Sequence, residues 1–185
     1  MVRAELTLHQ ESRCWAVGRI EVGVERPRGR TLTLAYLLTG EIGGLRLPPV
    51  GAPARTDELW RHTCFEAFVQ VPDGGGYYEF NVSPATQWAA YRFPKYRSGM
   101  SPADVAAAPR IEVRVDQGRM SLAASLDLEP SGDLAADKPW RLGLSAVIEE
   151  ADGYLSYWAL AHPRGKPDFH HAEGFALSVP PPIRP

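Results

Sequence analysis

Apolar and polar residues alternate with a period of two along most of the chain. In the segment Thr31–Thr39 every second residue is apolar: Leu32, Leu34, Tyr36 and Leu38. This period is typical of strands with one buried face. The same alternation predicts strands in Ala4–His9, Cys14–Glu25, Arg110–Val115, Met120–Leu128, Trp140–Glu149, Tyr154–Ala161 and Phe175–Val179. We therefore expect strands to dominate and no helix to exceed about three turns.

The alternation in Cys14–Glu25 changes phase at Gly18. A slip of one residue would turn the rest of the strand onto the opposite face of its sheet. One extra residue in a strand absorbs such a slip, so the sequence predicts a β-bulge at Gly18.

The most apolar stretch, Asp57–Phe93, predicts a β-meander whose strands are separated by turns at 72–76 and 83–87. Glu66 and Glu79 lie within its two most hydrophobic strands. An unpaired charge is costly there, so each carboxylate must face solvent, pair with a basic group or contact a ligand. The meander is therefore where we expect the functional site.

Roughly ten strands with turns every 8 to 12 residues favour an all-β fold. We predict an antiparallel β-sandwich of jelly-roll or immunoglobulin-like form, with a closed barrel as the alternative because strand number does not separate the two. The chain length fits a single domain over residues 1–185.

Composition excludes some partners and compartments. The 20 basic and 22 acidic residues nearly cancel without a basic patch, so we expect no nucleic-acid partner. No apolar run is long enough to cross a bilayer, and Met1–His9 lacks the features of a signal peptide, so we expect no membrane partner and a cytoplasmic location. Cys14 and Cys64 lie far apart with no CxxC spacing, which predicts free thiols.

Three loops combine polar and aromatic residues: Gly40–Trp60, Pro94–Pro109 and His162–Gly174. We expect them to gather at one end of the sandwich, where Trp60 or Trp88 would stack on a ligand ring. The candidate hydrogen-bonding residues for that ligand are Arg92, Arg97, Lys166, Asp168, His170 and His171. The alternative is that the last loop's polar residues only lock it onto the sheet.

The last loop also offers candidate ligands for Zn²⁺ or another transition metal: His162, Asp168, His170 and His171. No HxxxH or HExxH pattern accompanies them. No nucleophile motif is present, and Glu66 with Glu79 fits a ladder pair better than a glycosidase pair, so we assign no catalytic residue and assume no cofactor.

Three strings carry a family resemblance: LWRHTCFEAFV, YYEFNVSPATQWAAYRF and HPRGKPDFHHAEGF. Together they resemble the bacterial DOMON-like domains, which are related to carbohydrate-binding modules of family nine. The resemblance implies a β-sandwich that binds either a sugar between aromatic side chains or haem b between a Met and a His. The family's strand motif falls on scaffold positions Glu66, Phe68, Tyr78, Phe80 and Asn81, among which we expect Glu66 and Asn81 to form a buried polar link.

We therefore expect a non-catalytic module that binds a small carbohydrate or sugar-like ligand. The alternative is a haem- or metal-binding protein with a redox or enzymatic role. For haem b, Met100 would have to face His162, His170 or His171.

Overall fold

In a computed structural model, which describes residues 1–71 and 74–182, the chain forms an antiparallel sheet of twelve strands. The strands are β1 Val2–Leu8, β2 Arg19–Glu25, β3 Thr31–Thr39, β4 Cys64–Gln70, β5 Tyr77–Val82, β6 Trp88–Phe93, β7 Ser101–Pro102, β8 Arg110–Asp116, β9 Arg119–Asp127, β10 Trp140–Glu149, β11 Leu155–Ala159 and β12 Leu177–Val179. The described residues also form short 3₁₀ turns at Ile42–Gly44, Leu59–Arg61 and Ala172–Gly174. The predicted all-β antiparallel class is confirmed, and no helix in this part of the chain is long and apolar enough to cross a membrane.

The strands follow one another in the order β7-β6-β5-β4-β10-β11-β1-β2-β3-β9-β8, and β12 also pairs with β10. Strand β1 pairs with β2 through Val2 to Leu6 and with β11 through Thr7 and Leu8. It therefore connects two halves, which we call sheet I (β1, β2, β3, β9, β8) and sheet II (β7, β6, β5, β4, β10, β11 and β12). The path ends at β7 and β8, so among the described strands the sheet is open and is not the alternative closed barrel.

The main core lies between the two sheets. Alternate residues of β3 in sheet I are buried, as their pattern predicts, and they meet buried residues of β4 in sheet II. The rings of Tyr36 and Phe65 lie 4.8 Å apart, and Tyr36 Oη donates a hydrogen bond of 3.0 Å to the Glu66 carbonyl. This packing is consistent with a β-sandwich.

The predicted β-bulge at Gly18 is wrong, because β2 begins only at Arg19. Residues 14–18 form a loop that a buried carboxylate holds in place. Glu150 Oε1 accepts hydrogen bonds from the backbone N–H of Trp15 (2.7 Å) and of Ala16 (2.8 Å). The phase change in the sequence therefore marks the start of β2.

Strands β4 and β5 of sheet II are buried on both faces almost throughout. The face turned away from sheet I carries a second apolar cluster: Leu59, Cys64, Phe68, Tyr77, Ala89, Tyr91, Phe93 and Phe175, with Phe169 packed against it. Since Leu59, Phe169 and Phe175 come from connections between strands, loops cover this outer face and create a cavity there. Cys14 and Cys64 are both free thiols.

Candidate ligand-binding site

A pocket of about 630 Å³ opens on the outer face of sheet II. Its lining combines strand residues with residues from the three polar loops: Trp60, Glu66, Glu79, Phe93, Arg97, Met100, Val147, Tyr157, Lys166, Pro167, Phe169 and His170. We call it the main pocket. Its size lies within the usual range for small-molecule sites, about 300 to 1,000 Å³.

Two glutamates form part of the lining supplied by the sheet. Glu66 on β4 lies opposite Asn81 on β5 and opposite Ser145 on β10. Because side chains alternate along a strand, Glu79, two residues before Asn81, projects on the same face as its diagonal neighbour Glu66. Only 3% of Glu66 and 4% of Glu79 is exposed. The fold thus places two buried carboxylates in the main pocket.

Burial disfavours the charged form of both carboxylates. Burial raises the pKa of Glu79 to about 7. Two influences act in the opposite direction and lower this pKa: a hydrogen bond of 2.8 Å from Asn81 Nδ2 and the Arg97 charge. Burial and the neighbouring Glu79 raise the pKa of Glu66 well above its ordinary value, although Glu66 accepts a hydrogen bond of 3.4 Å from Ser145 Oγ. The pair therefore retains at least one proton at neutral pH.

His170 stands beside this pair and is held by aromatic neighbours. Its Nδ1 lies 2.8 Å from Tyr77 Oη and its Nε2 lies 3.8 Å from Glu79 Oε2. The rings of Phe68 and Phe93 pack against it at 5.0 and 5.1 Å. Burial, with the nearby Arg97 charge, lowers the pKa of His170 to about 4, so the imidazole is neutral at pH 7.

An ion pair joins two of the loops that line the main pocket. Arg97 Nη2 lies 2.7 Å from Asp168 Oδ1, and Tyr96 also donates a hydrogen bond to Asp168. Asp168 Oδ1 in addition accepts a hydrogen bond of 3.1 Å from the His170 backbone N–H. Asp168 thus positions His170 and gives the Arg97 guanidinium a charged partner.

Trp60 provides the indole in the pocket lining. It lies in the 3₁₀ turn before β4, is 37% exposed, and has its ring 6.3 Å from that of Tyr91. Lys166 is exposed and also lines the pocket. The site therefore offers an apolar stacking surface together with carboxylates and a free ammonium group.

The structure brings together about half of the residues predicted to bind a ligand. Trp60, Arg97, Lys166 and His170 line the main pocket, while Asp168 holds Arg97. His171 instead lines a second pocket of about 640 Å³, which also includes His170.

Trp88 and Arg92 do not line the main pocket. Trp88 is 7% exposed and belongs to the core between the sheets. Arg92 pairs with Asp133 at 2.9 Å. The physical reason is strand parity: both residues alternate with Tyr91 and Phe93, whose side chains belong to the outer cluster.

The three histidines proposed as metal ligands do not converge. His162 Nε2 lies 2.8 Å from the Thr7 carbonyl, His170 contacts Tyr77, and His171 Nδ1 accepts a hydrogen bond of 3.3 Å from the Glu173 N–H. Within residues 1–71 and 74–182 no group of three His, Cys, Asp or Glu side chains could hold a metal ion. The prediction of a metal site at these histidines is therefore wrong, because each imidazole contacts a different neighbour.

Haem fits this site poorly. Met100 and His170 both line the main pocket, as an axial pair would require. However, both ring nitrogens of His170 face protein groups, Tyr77 Oη and the Glu79 carboxylate. With Nδ1 held by Tyr77, an iron atom would have to bind Nε2 and displace the Glu79 carboxylate, whose Oε2 lies 3.8 Å from it.

The sequence left contact with a ligand open for Glu66 and Glu79, but we expected Glu66 and Asn81 to form a polar link and did not include either glutamate among the candidate ligand-binding residues. In the structure Asn81 and Glu66 are opposite in register, and the Asn81 amide donates to Glu79. Val147 and Tyr157, which are register partners on β10 and β11, were also missed. Val147 lies two residues after Ser145, the register partner of Glu66, and therefore shares the face of Glu66. This relation can be found only when the order of strands in sheet II is known.

A scan against protein-family models and a search of curated proteins found no match for the chain. Solved structures do match. A protein from Bacteroides uniformis ATCC 8492, to which carbohydrate binding is ascribed, superimposes with a TM-score of 0.67 at 13% identity, covering 93% of this chain and 83% of that one.

Two structures of a family 9 carbohydrate-binding module from Caldicellulosiruptor kristjanssonii also match. The complex with glucose has a TM-score of 0.54 at 7% identity, covering 90% of this chain and 78% of that one. The complex with cellotriose has a TM-score of 0.51 at 8% identity, covering 88% and 75%. At these identities the likeness establishes that the chain shares the fold of these carbohydrate-binding modules.

Proposed function

We propose that this chain is a non-catalytic module that binds a small carbohydrate in the main pocket. The observation that carries the proposal is the partly exposed indole of Trp60 in a pocket that also holds the carboxylates of Glu66 and Glu79. The C–H face of a sugar ring packs on an aromatic surface, while its hydroxyl groups need hydrogen-bonding partners.

The shared fold supports this assignment, because the matching family 9 module binds glucose and cellotriose in its complexes. We extend the proposal to a DOMON-like sandwich of jelly-roll or immunoglobulin-like form, which the strand motif around Glu66 and Asn81 suggests. In this module Arg97, Lys166 and His170 would hydrogen-bond to the sugar, and Asp168 would position Arg97.

Calorimetric titration with glucose and cellotriose tests the proposal. We expect saturable binding to the parent protein and an affinity loss of about tenfold or more in Trp60→Ala, which removes the stacking surface. Trp15→Ala is the matched control, because Trp15 is 78% exposed and lies outside the pocket. Its affinity should equal that of the parent.

Failure of a broad sugar panel to bind the folded parent protein would overturn the proposal. If the protein hydrolyses aryl glycosides and Glu79→Gln abolishes this activity, the proposal that the module is non-catalytic is wrong. A Soret band in the visible spectrum of the purified protein would favour the haem alternative.

A further inference from the structure

Acceptor groups are concentrated on the β4 and β5 residues of the main pocket and on the strand position next to them. Glu66 and Glu79 contribute four carboxylate oxygens, and the hydrogen bonds described for them come from Ser145 Oγ and Asn81 Nδ2. Asn81 is fully buried, lies opposite Glu66, and its Oδ1 has no hydrogen-bond partner among the described residues. A buried acceptor without a partner is costly, so this region favours a ligand group rich in N–H donors.

The positive groups of the pocket offset the charge of these carboxylates only in part, through the Arg97 charge, which lowers the pKa of both. Arg97 is paired with Asp168 at 2.7 Å, and Lys166 is exposed. His170 is neutral at pH 7, and its Nε2 lies 3.8 Å from Glu79. Among the described residues, neither Glu66 nor Glu79 forms an ion pair with Lys or Arg.

An ammonium group matches this environment better than a hydroxyl group does. It supplies three N–H donors and a positive charge, and hydrogen bonds between an ammonium and a carboxylate are about twice as strong as neutral ones. A hydroxyl group supplies one donor and no charge.

We propose that the ligand of this pocket is an amino sugar, with its ring on Trp60 and its ammonium group received by Glu66 and Glu79. This inference rests on the proposed carbohydrate function and specifies its ligand class.

Binding of this kind changes the proton balance of the pair. Up to neutral pH the pair keeps at least one proton on a carboxylic acid oxygen, and the arriving ammonium group favours the ionised carboxylates. The O–H bond of that acid breaks and its proton passes to the buffer, while the ligand remains an ammonium ion.

The other titratable groups close to the pair do not compete for this proton. Burial raises the pKa values of the surrounding phenols and thiol, so they stay protonated: Tyr36, Cys64, Tyr77 and Tyr91. Arg97 remains charged and His170 remains neutral. Proton release therefore reports on Glu66 and Glu79.

The test is calorimetric titration with glucosamine, N-acetylglucosamine and glucose at pH 6, where glucosamine is an ammonium ion and the glutamate pair still holds its proton. Glucosamine should bind at least about tenfold more tightly than N-acetylglucosamine, which keeps the ring but lacks the charge. Repeating the titration in buffers of different ionisation enthalpy should show proton release with glucosamine and none with glucose.

Glu79→Gln should reduce the preference for glucosamine to less than about threefold, because it removes the charge and keeps the shape. Glu112→Gln is the matched control, since Glu112 is exposed on β8 in sheet I, and it should retain the full preference. If Glu79→Gln does not fold, proton release from the parent protein on binding glucosamine decides whether Glu66 and Glu79 receive the ammonium group.

The outcomes separate this inference from the proposed function. If no sugar binds, the carbohydrate function itself fails. If glucose binds as tightly as glucosamine, or glucosamine binds without releasing protons, the function stands and the amino sugar is wrong. If ethanolamine binds as tightly as glucosamine, the sugar ring is not recognised and the inference is overturned.

Discussion

Glu79 links the pocket to the stability of the protein. Burial raises its pKa from an ordinary value of 4.5 to about 7, so between these pH values the folded state holds more protons than the unfolded chain. Stability therefore falls as pH rises through this window, by on the order of 3 kcal/mol once the group is ionised. Ionisation of this pocket residue thus destabilises the folded protein near neutral pH.

Glu79→Gln removes this ionisation while keeping the side-chain shape. We expect the variant to be more stable than the parent by roughly 1 to 3 kcal/mol at pH 8 and to differ little from it at pH 4.5. Urea denaturation at the two pH values measures the difference. Glu112→Gln, which changes an exposed carboxylate, should follow the parent at both, and an equal effect of the two substitutions would contradict the assignment.

At the scale of elements, the loop of residues 13–16 depends on a carboxylate from a distant part of the chain. Glu150 follows β10 and accepts hydrogen bonds from the backbone N–H of Trp15 and Ala16. Arg13 pairs with it at 3.3 Å and packs over the Tyr154 ring at 4.0 Å. Glu150 therefore supplies the partners that a strand neighbour would otherwise provide.

We predict that Glu150→Ala destabilises the protein by about 2 to 3 kcal/mol, because it leaves two backbone donors at the loop without partners. The matched control is Asp152→Ala, which removes an exposed partner of the same Arg13 and should destabilise the protein clearly less than Glu150→Ala does. Chemical denaturation compares them. Equal losses would mean that Glu150 acts only as a surface charge.

For the whole molecule, β1 ties the two sheets together. It pairs with β2 in sheet I and with β11 in sheet II, and one apolar core lies between the sheets. Neither sheet would keep its buried face covered without the other. The single domain expected from chain length therefore predicts cooperative unfolding.

We expect one unfolding transition for the parent protein, with the same midpoint by far-ultraviolet circular dichroism and by tryptophan fluorescence. Trp140 and Trp158 are buried in the core and report on tertiary packing. Two separated transitions would show that the sheets are independent units. The Trp15→Ala variant controls for fluorescence from an exposed tryptophan.

The alternation of apolar and polar residues is enough to predict much of the sheet. The bounds of β3 and β10 agree with the segments Thr31–Thr39 and Trp140–Glu149, because apolar residues repeat at every second position in both. Burial follows this repeat in β3 only, since β10 is buried on both faces over most of its length. Short β7 at Ser101–Pro102 escaped prediction, since two residues carry no period.

The candidate site was predictable only in its loop residues. Polar and aromatic composition indicated Trp60, Arg97, Lys166 and His170, because such residues in loops are free to face a ligand. Trp88 and Arg92 were misplaced because their strand parity can be assigned to a face only when the packing of both faces is known.

The sequence by itself determined that the chain forms antiparallel strands, and that Glu66 and Glu79 are unusual in theirs. Only the tertiary structure decided that these carboxylates share a pocket with Trp60. That decision depends on the register of β4 against β5 and on β10 lying beside β4, pairings between segments far apart in the chain. Local alternation specifies which residues share a face, whereas long-range pairing specifies which faces meet.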